Sequence, residues 1–194
     1  MLDLWGQQLS LFEVFGTIFG IAGVWLTIKK NIWCFPAGLV NVGLYGILFY
    51  REKLYADAIL QIFYVLLLTY GWMQWKRSTI QNDFLITAIN GKIGISLVVI
   101  CLLSTLILGT VLMKATDASL PYLDSLLTSM SLIAQWMVAK KKIENWIVWI
   151  VADVIYVGMY VFKSLHLTAA LYFVFILLAI KGYNEWKKKI APNA

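Results

Sequence analysis

A chain of 194 residues that is 61% hydrophobic and only 13% charged, with a mean hydropathy of +0.80, carries more apolar surface than one water-soluble core of that size can hide. The formal net charge of +6 does not gather in a polar patch with interleaved aromatics. The basic residues stand at the ends of apolar runs, which sets nucleic acid aside and points to a lipid bilayer around a single domain.

Seven apolar runs follow one another, at residues 11–28, 32–50, 55–75, 94–113, 120–139, 145–163 and 166–185. Each is long enough to approach the thickness of a bilayer as a helix, and none alternates as a barrel strand would. The opening MLDLWGQQLS has no Lys or Arg, so it does not read as a signal peptide, and the first run is expected to remain as a membrane helix. The one long connection spans residues 76–93.

Charge sets the expected orientation. Twelve of the sixteen Lys and Arg follow runs one, three, five and seven; Arg51, Lys53, Lys114 and Lys163 lie on the other side. The positive-inside rule then puts the N-terminus outside and the C-terminus in the cytoplasm of a bacterial inner membrane. Trp25, Trp33, Trp72, Trp75, Trp136, Trp146 and Trp186 fall at the expected cytoplasmic ends, where an interfacial aromatic belt accounts for them.

The halves resemble each other. NVGLYGILFYREKLYADAILQIF aligns with DVIYVGMYVFKSLHLTAALYFVF, setting Asn41 opposite Asp153 and Gly46 opposite Gly158. Trp25 pairs with Trp136, Gly71 with Gly182 and Trp75 with Trp186. The expected fold is therefore all-α and membrane-integral, with seven transmembrane helices in a 3+1+3 parallel repeat. Residues 1–77 form the first three-helix repeat, 78–118 a linker and connecting fourth helix, and 119–194 the second repeat. Such duplications place a substrate near the midplane.

Asp153 lies mid-run, where a carboxylate costs about 2.5–3.5 kcal/mol on insertion scales. Intramembrane ionisable groups mark substrate or ion paths by default. Trp149, Asp153, Tyr156 and Tyr160 share one helix face, a carboxylate among rings that suits a flat cationic ring. Asn41 and Tyr45 share a face; a helix–helix hydrogen bond is the plainer role for Asn41. Asp57, Gln61 and Tyr64 line up at i, i+4 and i+7, with Asp57 near the outer surface. Thr168 and Tyr172 share a face of the seventh run. Gly16 and Gly20 form a GxxxG. Cys34 and Cys101 sit inside apolar runs, and His166 has no metal-type partner, so neither a disulfide framework nor a metal site is expected. No nucleophile–base pair, paired carboxylates or phosphate loop is present, which argues against an enzyme and against any cofactor.

The stretch NVGLYGILFYREKLYADAILQIFYVLLLTYGWMQWK, with Gln61, Tyr64, Tyr70, Gly71, Trp72 and Trp75, resembles the third-helix signature of the PnuC family of vitamin transporters. WIVADVIYVGMYVFKSLHLTAALY resembles that family's sixth and seventh helices, and the likeness covers nearly the whole chain. The resemblance implies a SWEET-like 3+1+3 fold, a homotrimer, and passage of an unphosphorylated vitamin down its gradient, with cytoplasmic phosphorylation trapping it; alternating access, the two halves rocking around a midplane site, is the expected mechanism. The family's sixth-helix Trp-x-x-x-Asn is matched by Trp149 and Asp153: the tryptophan agrees and the asparagine does not. The motif and the helix faces together give an expected binding set of Trp149, Asp153, Asn41, Gln61, Tyr64, Tyr156 and Thr168. An aspartate suits a cationic substrate and argues against riboflavin, which favours nicotinamide riboside, with thiamine as the alternative. A vitamin-binding S-component of a larger importer is the rival of another class. It would have six helices and an AxxxA patch, whereas seven runs and no AxxxA are present.

Overall fold

The computed structural model describes residues 2–4, 7–9, 11–51, 55–80, 85–116, 120–162 and 166–190; the side chains of residues 2–4, 7–9, 13, 55–57 and 167 lie outside that description. Among the described residues there are seven helices: α1 (Leu11–Ile28), α2 (Cys34–Arg51), α3 (Tyr55–Ile80), α4 (Gly91–Ala115), α5 (Pro121–Ala139), α6 (Asn145–Phe162) and α7 (His166–Lys187). They coincide with the seven apolar runs. The all-α expectation missed one feature, a short antiparallel hairpin of β1 (Leu2–Leu4) and β2 (Gln7–Leu9) before α1.

Where helix ends depart from the apolar runs, local hydrogen bonds explain the shift. α3 continues past Trp75 to Ile80, with the Ser78 and Thr79 hydroxyls donating back to the carbonyls of Gln74 and Trp75. α4 starts at Gly91 rather than Gly94 because Asn90 caps it, its side chain accepting from the Lys92 N–H at 3.1 Å.

Three helical segments are long and apolar enough to cross a membrane by composition alone: Ala58–Ile80, Gly91–Ala115 and Asn145–Phe162. Val14–Ile28 of α1 is a further, shorter apolar segment, and α2, α5 and α7 are diluted by polar residues or glycine. α5 carries Asp124, Ser125, Ser129, Ser131 and Gln135, three of whose serines are buried. α4 exposes Ile95, Leu102, Leu106 and Ile107, each more than half accessible, a surface fit for lipid and unfit for water.

The chain divides into two units, Met1–Phe84 and Leu85–Ala194. In the first, α2 packs against both α1 and α3; in the second, α6 packs against both α5 and α7, and α4 lies against α5. Within the second unit the Ser104 hydroxyl donates to Ser129 Oγ at 2.8 Å, and Gly109 admits the Tyr122 ring.

The turns after α1 and α5 are built alike. Lys30 and Lys141, 111 residues apart, both take φ of 56°, a left-handed conformation unusual for a non-glycine residue. The N–H groups of Lys30 and Asn31 donate to Thr27 and Leu26, and those of Lys141 and Lys142 donate to Val138 and Met137. Both are Schellman closures that satisfy the last carbonyls of the preceding helix. The same spacing recurs deeper in each unit. Phe35 meets Trp75 edge to face at 5.0 Å and 89°, and Trp146 meets Trp186 at 5.4 Å and 88°. These contacts correct one expectation. Trp75, Trp146 and Trp186 are at most 2% exposed and serve as interior packing, whereas Trp25, Trp33 and Trp72 are exposed as an interfacial belt requires.

Candidate functional site

Asp153 is 4% exposed. It sits on the face of α6 that packs inward, next to Ala152, which is fully buried against Leu127 of α5. No basic side chain pairs with its carboxylate among the described residues. One turn further along the face, Tyr156 stacks on Tyr160 with ring centroids 5.9 Å apart and planes at 12°. Tyr172 of α7 closes the group, 4.6 Å from Tyr156 and 5.2 Å from Tyr160, with Phe175 edge-on to it at 5.8 Å. The periodicity of α6 thus becomes a carboxylate beside a cluster of three tyrosines. Trp149 stands one turn before Asp153 on the same helix and is half-buried.

A carboxylate without a cationic partner in an apolar, ring-lined surround is costly unless it takes up a proton or something positive comes to it. Aromatic faces and a carboxylate together favour a flat cation over a neutral or anionic ligand. No grouping of three or more His, Cys, Asp or Glu that could hold a metal occurs among the described residues.

Of the other expected residues, Asn41, Gln61 and Tyr64 belong to the first unit and Thr168 to α7 of the second. Asn41 spends its amide on α1: its Nδ2 donates to the Gly16 carbonyl at 2.7 Å. Beside it the Tyr45 ring lies over Gly16, where a Cβ would come within 2.8 Å, and the Tyr45 hydroxyl is 3.4 Å from Thr17 Oγ1. The glycine of the GxxxG is therefore needed for the α1–α2 approach. Gln61 rests against Gly46 and lines a groove of about 530 Å³ between α2 and α3, together with Val42, Gly43, Ile47 and Arg51. Tyr64 is half-buried one turn on from Gln61, and Thr168 is half-buried one turn before Tyr172. The side chain of Asp57 lies outside the described residues. Counted from the matched turns at Lys30 and Lys141, the position corresponding to Asp153 is Val42, 7% exposed, and Asn41 corresponds to Ala152. The sequence alignment of Asn41 with Asp153 is one residue out of step with this register.

Sequence reasoning gave no role to Tyr172 in the cluster, which only the packing of α7 on α6 brings in. It also passed over the segment at residues 86–89, which meets the turn before α6. The Thr87 N–H donates to the Lys141 carbonyl and the Ile143 N–H to the Thr87 carbonyl. No hydropathy signal marks that pairing.

Known proteins resemble the chain in sequence and in fold. A family model described as nicotinamide mononucleotide transporter matches residues 10–188. The chain is 27% identical to the nicotinamide riboside transporter PnuC of Escherichia coli K12, over 93% of this chain and 87% of that protein. It is 23% identical to the riboflavin/roseoflavin transporter RibM of Streptomyces davaonensis, over 94% and 87% of the two chains. The fold matches a crystal structure of the vitamin B3 transporter PnuC with a TM-score of 0.71 at 22% identity, covering 92% of this chain and 81% of that one. The chain belongs to the PnuC family of membrane vitamin transporters, whose matched members are carriers and not enzymes.

Proposed function

We propose that this protein carries nicotinamide riboside across the bacterial inner membrane by facilitated diffusion, with alternating access and trapping of the vitamin by phosphorylation in the cytoplasm. The single observation that carries the substrate choice is Asp153: buried, without a basic partner among the described residues, and set beside Tyr156, Tyr160 and Tyr172. The pyridinium ring of nicotinamide riboside supplies the missing positive charge and a flat face for the rings. The name of the E. coli relative points the same way. Trp149 stacks on the ring, Asp153 meets its charge and Tyr156 flanks it. Asn41, Gln61, Tyr64 and Thr168 are carried as further polar contacts, each to be tested singly.

The reading extends to the fold. A SWEET-like 3+1+3 duplication is supported by the paired Schellman turns and the paired edge-to-face contacts at a constant spacing of 111 residues. The charge bias supports a cytoplasmic C-terminus. A homotrimer rests on family likeness.

Thiamine is the second reading, because its thiazolium is also a flat cation that Asp153 would meet. Purified protein in liposomes, without any partner, tests the proposal. Uptake of labelled nicotinamide riboside that equilibrates without ATP supports it. Uptake of thiamine but not nicotinamide riboside replaces the substrate while leaving the carrier reading intact. Absence of uptake for both, with retained binding, favours a binding subunit of a larger importer.

A further inference from the structure

We propose that Lys142 and Glu144 are positioning residues for substrate binding: they fasten the segment at residues 86–89 to the first turn of α6 and thereby set where Trp149 and Asp153 stand. The inference rests on the reading of that α6 face as the substrate site.

The fastening is dense for so short a stretch. Lys142 Nζ donates to Thr87 Oγ1 at 2.8 Å and to the Ala88 carbonyl at 3.0 Å. Glu144 Oε1 accepts from the Ile89 N–H at 2.9 Å. Two backbone bonds, Thr87 to Lys141 and Ile143 to Thr87, run between them in a short parallel pairing. Ile86 is fully buried and bridges to Ile190 beyond α7. One strap thus joins the approach to α4, the turn that starts α6 and the end of α7.

The strap acts where α6 begins. The N–H groups of Asn145 and Trp146 donate to Lys142 and Ile143, and Asn145 Nδ2 donates to the Lys142 carbonyl at 2.5 Å. Asn145, Trp149 and Asp153 follow at intervals of four, on one face. Asn145 is fully buried and Trp146 is wedged against Gly182, so the turn cannot shift without carrying the helix along its axis. Displacing a binding group by as little as an ångström costs recognition steeply. Lys142 and Glu144 need not touch the substrate to control its affinity.

The test uses the full-length protein in lipid nanodiscs. Lys142→Met and Glu144→Ala are compared with Lys142→Arg and Glu144→Gln, which keep a donor and an acceptor. Amide hydrogen exchange at Thr87, Ile89 and Ile143 reads the strap, and calorimetric binding of nicotinamide riboside reads the site. The expected result is exchange faster by about tenfold or more and affinity weaker by roughly fivefold or more in the first pair, with both recovered in the second. Faster exchange with unchanged affinity would overturn the proposal, leaving the strap a purely structural device. Unchanged exchange would overturn it as well. If Lys142→Met or Glu144→Ala does not fold, Thr87→Val, which removes one acceptor of the Lys142 ammonium, is read in the same two ways. Asp153→Ala is measured alongside: unchanged binding there, with loss in Lys142→Met, contradicts the substrate-site reading and not the strap.

Discussion

The Trp146 and Trp186 rings meet edge to face with centroids 5.4 Å apart, and Gly182, four residues before Trp186, lies directly beneath the Trp146 indole. A Cβ on Gly182 would come within 2.7 Å of three ring atoms. Overpacking of this kind costs typically about 1–3 kcal/mol because the indole must leave its rotamer or the helices must part. Gly182→Ala is therefore expected to lower the thermal midpoint in detergent by several degrees. An unchanged midpoint would mean that Trp146 repacks freely.

The left-handed Lys30 and Lys141 carry a conformational cost that glycine avoids, about 1 kcal/mol or more for an L-residue. Lys141→Gly should raise stability by up to about that amount; the larger unfolded-state entropy of glycine, about 0.5–1 kcal/mol, subtracts from it. Thermal unfolding of Lys30→Gly and Lys141→Gly should shift both midpoints in the same direction. A clear loss in either would show that the lysine side chain, and not the turn geometry, governs that position.

Asn41 donates to the Gly16 carbonyl across α1 and α2. Interhelical hydrogen bonds in membranes are worth about 0.6 kcal/mol on average, up to about 1.7. Asn41→Leu is expected to destabilise the protein by roughly that much. Its effect on nicotinamide riboside affinity, measured by calorimetry in the same preparation, decides whether Asn41 also meets substrate. A loss of binding without a loss of stability would show that the bond to Gly16 is incidental.

Tyr172 joins the Asp153 face only through the docking of α7. Tyr172→Leu removes a ring from the cluster, and cation–π contact is worth about 0.5–2 kcal/mol. Affinity for a cationic vitamin should fall up to about thirtyfold, with little change for a neutral analogue of the same shape. Equal losses for both ligands would point to lost shape rather than lost cation recognition.

Much of this was legible in the sequence for a physical reason. In a bilayer the apolar run and the helix are the same object, so α1 was located to the residue at Leu11–Ile28 and α6 began at Asn145 as expected. Helix ends set by side-chain bonds, such as the Ser78 and Thr79 extension of α3, leave no hydropathy trace. Asp153 was conspicuous because its burial is costly anywhere in an apolar run. Tyr172 was not, because tyrosine is as ordinary in a membrane belt as in a binding site. The buried roles of Trp75, Trp146 and Trp186 were hidden for the same reason, since their place near helix ends reads as interfacial until the packing partner is known. The strap of Thr87 on Lys141 and Ile143 joins residues more than fifty positions apart through backbone groups, which no side-chain pattern records.

The most direct test of the central claim is the affinity of nicotinamide riboside for the protein and its Asp153→Asn variant, together with that of a neutral analogue bearing an uncharged six-membered ring. The wild type is expected to prefer the cation and the variant to lose most of that preference, by about tenfold or more for a charge contact in a buried site, while binding the neutral analogue no worse. Equal affinity of the variant and the wild type for nicotinamide riboside would contradict the assignment of Asp153 as the group that meets the substrate's charge.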